Sequence, residues 1–320
     1  ARDSAPIAPG APRPAVECPP VSTPIQHAGE IAALGTAACW TVSSLAFEAA
    51  GRRAGSLAVN LTRLVMAAFL LGAFTWATRG LPLPLDAGAH AWLWLGLSGL
   101  VGFTIGDLCL FRAFVVVGAR VSMLLMTLVP VLTAAAGYLV MGEVLSRQEL
   151  VGMALTIAGV STVVSERRAS ADGLLQRLPA SGILLGLAGA AGQAVGLVLS
   201  KYGMGAYNAF AATHIRVLVG CAGFALVFTL TGWWPRVRPA LADRRAMRST
   251  GVGAFFGPFL GVSLSLLAVQ HTEAGVAATL MALAPVLIIP VSVLLFRERV
   301  AWPTVAGAAV AVCGSALMFL

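Results

Sequence analysis

The sequence has little charge and few of the residues that enzymes use for chemistry. Asp, Glu, Lys and Arg make up 11% of its 320 residues, against about a quarter in a typical soluble domain. The phosphate-binding pattern GxxxxGK[ST] is absent from the sequence, which excludes that class of ATP site. The four histidines, His27, His90, His214 and His271, are scattered through joints and span ends. We therefore expect that the protein has no metal centre and no cofactor, and that it is not an enzyme.

Cysteine is also scarce. The five cysteines share no CxxC spacing, and four of them lie in or beside apolar runs: Cys39, Cys109, Cys221 and Cys313. This pattern predicts small packing residues and not a metal site or a disulfide framework.

Apolar residues are what the sequence has in excess, at 58%, with a mean hydropathy of +0.89. Ten apolar runs are close to the roughly 20 residues that a helix needs to cross a bilayer. They are 30–50, 57–78, 90–112, 119–141, 148–165, 180–201, 208–232, 250–270, 274–296 and 302–320. Because lipid cannot satisfy exposed backbone groups, each run is predicted to be helical. The chain is therefore predicted to be an all-α transmembrane protein, with the lipid bilayer as its first partner.

The net charge of +8 comes from basic residues that lie between the apolar runs. This placement is typical of orientation signals in membrane proteins, so no nucleic-acid partner is expected. The ten predicted spans place 14 Lys and Arg residues on one side of the membrane and five on the other, with two inside spans. The positive-inside rule then puts both termini outside the cytoplasm.

The chain contains an internal repeat with an offset of 155 residues. At this offset Pro130-Val131-Leu132 matches Pro285-Val286-Leu287. Further matches are Gly102 with Gly257, Gly106 with Gly261, Ala113 with Ala268, Glu143 with Glu298, Gly152 with Gly307 and Gly159 with Gly314. With a two-residue indel, Arg63 also matches Arg216. Five spans in each repeat would insert the second copy upside down, as in many transporters.

The run from Ala113 through Pro130 to Glu143, with its second copy, resembles the EamA repeat of the drug/metabolite transporter superfamily. The resemblance implies ten helices arranged as two inverted five-helix EamA-type repeats. It also implies a central cavity lined mainly by the first, third, fourth, sixth, eighth and ninth spans, and both termini in the cytoplasm. This orientation is opposite to the one that the charge bias gives. The cavity is expected to be asymmetric, because Val262 takes the place of Asp107 in the second copy.

The boundaries follow from composition and from the repeat. Residues 1–29 are rich in Pro and Ala and lack the apolar region of a signal peptide, which predicts a disordered tail. The first repeat is predicted at 30–165, a linker at 166–179 and the second repeat at 180–320.

Three charged residues lie inside predicted spans: Arg63, Asp107 and Arg216. Charges there are costly and tend to face a cavity or a partner. Asp107 could exchange a proton during transport, or it could pair with an arginine such as Arg63 and only hold the bundle together. Arg63 and Arg216 could bind a substrate carboxylate or phosphate, or they could snorkel or pair with Asp107 or Glu48. Glu143 and Glu298 are expected to cap the fifth and tenth helices, or to pair with Arg147 and Arg299 across the turn.

Polar residues within the spans are the other candidates for substrate binding, namely Trp40, Ser43, Ser44 and Gln193. Small residues recur every fourth position at Ser98, Gly102 and Gly106, at Gly192 and Gly196, and at Gly253, Gly257 and Gly261. Such stripes predict close helix packing. Pro130 and Pro285 are predicted mid-span, where each removes a backbone hydrogen bond and forms either a hinge or a fixed kink.

These features together predict a secondary transporter in the cell (inner) membrane that moves a small polar or amphipathic metabolite by alternating access. Efflux is expected because the resembling family leans that way, and Asp107 could couple it to protons. The alternatives are an uncoupled pore, such as a channel or scramblase, and a non-transporting membrane subunit. The protein could also form a homodimer.

Overall fold

The computed structural model describes residues 27–117, 122, 125–169, 179–284, 286, 287, 289, 290 and 302–318. Nearly all of these residues are helical, and none of them is in a strand. The predicted tail lies outside the described residues, apart from its last three. Pro285 and Glu298 also lie outside them.

The helices of the first repeat follow the apolar runs. They are α1 (Ala28–Ala54), α2 (Ser56–Arg79), α3 (Ala89–Gly99), α4 (Asp107–Val116), α5 (Val129–Met141) and α6 (Arg147–Ala169). A π-helical segment, Leu100–Gly106, joins α3 to α4 without interruption, so the two form one membrane span. Helix α6 continues past residue 165 into the predicted linker.

The second repeat has the same order, with one short helix, α9 (Val237–Ala242), added before its third span. Its helices are α7 (Ala180–Met204), α8 (Ala209–Thr231), α9 (Val237–Ala242), α10 (Arg244–Ala254), α11 (Val262–His271), α12 (Ala274–Met281) and α13 (Trp302–Leu317). A second π-helical segment, Phe255–Gly261, joins α10 to α11. Asn208 and Asp243 cap α8 and α10, each side chain accepting two backbone N–H bonds at 2.9–3.1 Å.

Six helices in the described residues are long and apolar enough to cross a membrane: α1, α2, α3 with α4, α7, α8, and α10 with α11. Helices α5 and α13 are apolar but shorter. The all-helical transmembrane class is therefore confirmed. The count of ten spans stays a prediction, because parts of the fourth and ninth predicted spans lie outside the described residues.

The two π-helical segments are 155 residues apart, which is the offset of the repeat. A π-helical turn holds one more residue than an α-helical turn and is often found at functional sites. The second segment contains Pro258, and the absent N–H of this residue falls where the α-helical bonding pattern is already changed. The two copies therefore share an irregular feature that the sequence pattern did not predict.

Pro130 lies in the first turn of α5, where a missing N–H is tolerated, and not in the middle of a helix. Helical residues 125 and 126 are followed by a turn at 127 and 128, and Leu128 N–H donates to Leu125 O at 3.1 Å. The same turn occurs 155 residues later, where Leu283 N–H donates to Leu280 O at 3.2 Å. The span is thus interrupted just before Pro130, which agrees with the expected effect of its missing N–H, and the hinge at this position stays a prediction.

Each repeat packs its first helix against the third span of the other repeat. Helix α7 contacts α3, Leu100–Gly106 and α4, and we call this contact the first crossing. Helix α1 contacts α10, Phe255–Gly261 and α11, and we call this contact the second crossing. The two halves are therefore interlocked and not simply placed side by side.

Small residues explain the close approach at the first crossing. A Cβ on Gly192 would lie 2.8 Å from Gly106 Cα, and a Cβ on Gly196 would lie 3.1 Å from Gly102 Cα. Ser98 adds a hydrogen bond across the crossing, to Gly196 O at 2.5 Å. The predicted packing role of this glycine stripe is confirmed.

Helices α6 and α13 form a separate and nearly symmetric pair. A Cβ on Gly159 would lie 2.5 Å from Gly307 O, and a Cβ on Gly314 would lie 2.8 Å from Gly152 O. These four glycines are the ones that match at the offset of the repeat. The last helices of the two repeats therefore pack against each other through equivalent glycines.

Candidate functional site

Four of the predicted site residues come together beside the first crossing. Arg63 comes from α2, Asp107 is the first residue of α4, Gln193 lies on α7 and Arg216 lies on α8. The π-helical segment ends at Gly106, so it sets the direction of Asp107. The site therefore combines residues of both repeats.

Arg63 and Asp107 form a buried ion pair between Nη2 and Oδ2. Their side chains are 16% and 7% exposed. Arg63 Nε also donates to Asn60 Oδ1 at 2.6 Å, and the guanidinium lies 5.1 Å from the ring centre of Phe47. Three contacts of different kinds thus fix the guanidinium, which agrees with the predicted pairing of Asp107 with Arg63.

Gln193 connects this pair to the second repeat. Its Nε2 donates to Asp107 Oδ1 at 2.8 Å and approaches Gly102 O at 3.3 Å. Both carboxylate oxygens of Asp107 are therefore occupied, one by each repeat. We call this set the Arg63–Asp107–Gln193 network.

Arg216 is buried in the same region, at 5% exposure. Its guanidinium lies 4.9 Å from the ring centre of Phe103, and a Cβ on Gly102 would lie 3.5 Å from its Nη2. Asp107 acts on it electrostatically, but Arg216 is not part of an ion pair within the part of the chain that the structure describes. Its Nε has no hydrogen-bond partner there.

The charges of the site do not balance. Two guanidinium groups and a single carboxylate leave one buried positive charge in excess. An uncompensated buried charge is costly, and an anion placed beside it would remove part of that cost. Arginine is well suited to carboxylate and phosphate groups, because its planar fork can donate two parallel hydrogen bonds.

Of the other residues predicted to bind substrate, Trp40 and Ser43 lie at the second crossing. A Cβ on Gly261 would lie 2.9 Å from Trp40 Cδ1, and a Cβ on Gly257 would lie 3.3 Å from Ser43 Cβ. Ser43 is buried and donates to Trp40 O at 3.2 Å. Ser44 is exposed and donates to Thr41 O at 2.9 Å, so both hydroxyls bond within their own helix.

Three neighbours of the network were not among the predicted site residues: Phe47, Asn60 and Phe103. Asn60 lies three residues before Arg63 on α2, a spacing that places both on one helix face and could have indicated the contact. The two phenylalanines carry no such signal, because many apolar residues in the spans have similar surroundings. Their roles depend on how distant helices meet.

A second ionic cluster joins the repeats at the membrane face where α1 begins. Lys201 Nζ pairs with Glu143 Oε1 and donates to Thr272 O at 2.6 Å. Glu143 Oε2 accepts the backbone N–H of Ala274 at 2.9 Å, at the start of α12. The expected pairing of Glu143 with Arg147 is therefore wrong, since its partners come from α7 and α12. These partners are far from Glu143 in sequence, so the sequence alone gave no sign of them.

The histidine, cysteine, aspartate and glutamate side chains of the described residues do not gather in groups of three that could hold a metal ion. The described cysteines are free, and Cys39 is buried while Cys313 is exposed.

The long apolar helices and the two interlocked halves define an integral membrane protein. The profile of the EamA-like transporter family matches residues 27–165 and 180–320, which is most of the chain. The chain belongs to this family, and the resemblance seen in its repeats is confirmed.

The comparison with solved structures supports the fold. One, described only as the crystal structure of a protein, aligns with a TM-score of 0.75 at 18% identity. The alignment covers 92% of this chain and 96% of that one. A search of curated proteins finds no match.

Proposed function

We propose that the protein is a secondary transporter that exports a small polar or amphipathic metabolite carrying an anionic group. The observation that carries the proposal is the buried guanidinium of Arg216, which has no acid of its own among the described residues. It lies beside a network that links both repeats. An anionic cargo would give this charge a partner while it is bound.

Asp107 is the proposed coupling residue. Protonation of its carboxylate would release Arg63 and leave both arginines available to the cargo. Loss of the proton would restore the ion pair and displace the cargo. Proton binding and cargo binding are linked in this scheme by a single acceptor, so the proton and the anionic cargo are carried in the same direction.

The cluster of Glu143, Lys201 and Thr272 is the proposed gate for alternating access. It ties α5, α7 and the start of α12 together on one face of the membrane. The ion pair is partly buried, since the two side chains are 20% and 15% exposed. Opening that face would require these bonds to break, whereas the opposite face is not tied by them.

The first test is export from proteoliposomes that are loaded with a mixed metabolite pool, with and without an imposed pH gradient. Mass spectrometry would identify the metabolites that leave. We expect saturable efflux of an anionic metabolite that is faster when the vesicle interior is the more acidic side. We expect loss of this pH dependence in Asp107→Asn, and a loss of about tenfold or more in apparent affinity in Arg216→Gln. Asp86→Asn and Arg147→Gln are the matched controls, because each removes the same charge at the membrane surface.

Other outcomes separate the alternatives. Flux that does not saturate would indicate an uncoupled pore, such as a channel or scramblase. Saturable flux that ignores pH and Asp107 would indicate a facilitator, and no flux at all would indicate a non-transporting subunit. Fractionation of cells would test the predicted inner-membrane location, and the mass of the detergent complex would test the homodimer.

A further inference from the structure

A cleft of about 400 Å³ lies between α2 and α8, away from the charged network. Helix α2 supplies Leu61 and Val65, α8 supplies Cys221 and Ala225, and the segment after α8 supplies Trp234 and Leu241. The cleft is at the membrane face where α1 ends, since Arg53 near the end of α1 bonds to Asp243 at 2.9 Å. Its volume is within the range of small-molecule and lipid sites.

The wall of the cleft is apolar, because its polar groups are already bonded. The hydroxyl of Thr62 donates to Ala58 O at 2.7 Å, and Trp234 Nε1 donates to Thr229 Oγ1 at 3.1 Å. The cleft is open on one side, as Trp234 and Leu241 are 45% and 51% exposed. Such a wall suits a hydrocarbon chain that enters from the surrounding lipid and offers nothing to a polar solute.

The rim of the cleft is strongly basic. Arg236 and Arg238 are exposed and flank Val237, a residue of the cleft wall. Three more exposed arginines follow at the start of α10, namely Arg244, Arg245 and Arg248. Asp243 is the acid of this segment, and it is already paired with Arg53. These five exposed arginines therefore lack acidic partners among the described residues.

We propose that this cleft binds one anionic phospholipid, with an acyl chain against α2 and α8 and the phosphate on Arg236 and Arg238. A soluble anion would use the arginines but not the apolar wall, and a neutral lipid would use the wall but not the arginines. Tryptophan at the end of a span, as at Trp233 and Trp234, is typical of the lipid headgroup region. Basic residues at this depth favour anionic lipids.

The test is native mass spectrometry of the purified protein in detergent, titrated with phosphatidylglycerol or with phosphatidylcholine of the same acyl chains. We expect one phosphatidylglycerol to bind with at least about fivefold preference, in line with the attraction of a single basic residue to an anionic surface. Inorganic phosphate at millimolar concentration should not displace it. Equal binding of the two lipids, or displacement by phosphate, would overturn the proposal.

Paired variants locate the site. Ala225→Phe fills the cleft, whereas Leu226→Phe changes the adjacent residue, which is exposed and outside the cleft wall. Arg236→Gln with Arg238→Gln removes the headgroup contacts, whereas Arg147→Gln removes a charge from the opposite face. Binding should fall by about fivefold or more in the first member of each pair and stay unchanged in the second. Retained binding in both cleft variants, with normal elution on size exclusion, would show that the lipid binds elsewhere.

Discussion

The two crossings have nearly the same backbone and different chemistry. At the first crossing, Gly106 is followed by Asp107, and the facing helix carries Gln193. At the second crossing, the equivalent glycine, Gly261, is followed by Val262, and the facing helix carries Trp40. An acid with an amide in one half thus corresponds to an aliphatic residue with an indole in the other.

At the two crossings, the repeat preserves the packing and not the polarity. Glycines at equivalent positions let the third span of each half approach a helix of the other half. Once this contact was fixed, the residues beside it were free to differ. The polar crossing carries the charges of the site, and the apolar crossing closes against aromatic rings.

The largest effect is expected when the first crossing is given the chemistry of the second. Asp107→Val copies Val262 and leaves Arg63 buried without its acid, which should destabilise the protein by about 3–5 kcal/mol. Unfolding by sodium dodecyl sulfate in mixed micelles would measure the change. The double variant Asp107→Val with Arg63→Leu removes both charges and should recover at least half of the loss. Equal instability of the single and double variants would show that the pair is not the cause.

A smaller effect is expected from glycine substitutions that compare the packing of the crossings. Gly192→Ala would bring a Cβ to 2.8 Å from the backbone of Gly106, which cannot move easily. Gly257→Ala would meet the Phe47 ring at 3.1 Å, and a side chain can adjust. We expect a loss of about 1–3 kcal/mol for Gly192→Ala and less for Gly257→Ala. The reverse order in the same unfolding assay would contradict this account of the first crossing.

The smallest loss of stability is expected when a surface ion pair is removed. Asp86 accepts a hydrogen bond from Tyr207 Oη at 2.9 Å and pairs with Arg79. Partial burial raises the pKa of Asp86, but the bonds from Tyr207 and Arg79 outweigh this and lower the pKa below its usual value.

The sign of the pH dependence follows from that lowered pKa. The stabilisation is complete above the unfolded pKa of about 3.9 and is lost as the pH falls through the folded value. Asp86→Asn should therefore cost less than about 1 kcal/mol at neutral pH and nothing at low pH. If Asp86→Asn cost as much stability as Asp107→Val, the different burial of the two ion pairs would not explain their contributions to stability.

Much of the architecture could be predicted from the sequence. Long apolar runs identify helices because lipid demands internal hydrogen bonds, and the bounds of α1, α2 and α8 agree with the runs to within a few residues. The offset of the repeat predicted which glycines are equivalent. The pairing of Arg63 with Asp107 followed from the high cost of isolated charges in a membrane.

Other features could not be predicted because they depend on contacts between distant helices. The π-helical segments have an ordinary apolar composition, so the runs gave no sign of them. Glu143 lies near Arg147 in sequence, yet Lys201 reaches it from another repeat. The sequence likewise left open whether Pro130 forms a hinge or a fixed kink, because a missing N–H fits both.

The two π-helical segments also bear on where the two halves differ. A π-helical turn accommodates one additional residue while the helix on either side continues. Both copies have this feature at Leu100–Gly106 and Phe255–Gly261, at one shared offset. Each segment leads directly into the first residue of the next helix, which is Asp107 in one half and Val262 in the other. The same irregular turn therefore presents a carboxylate in one repeat and an aliphatic side chain in the other.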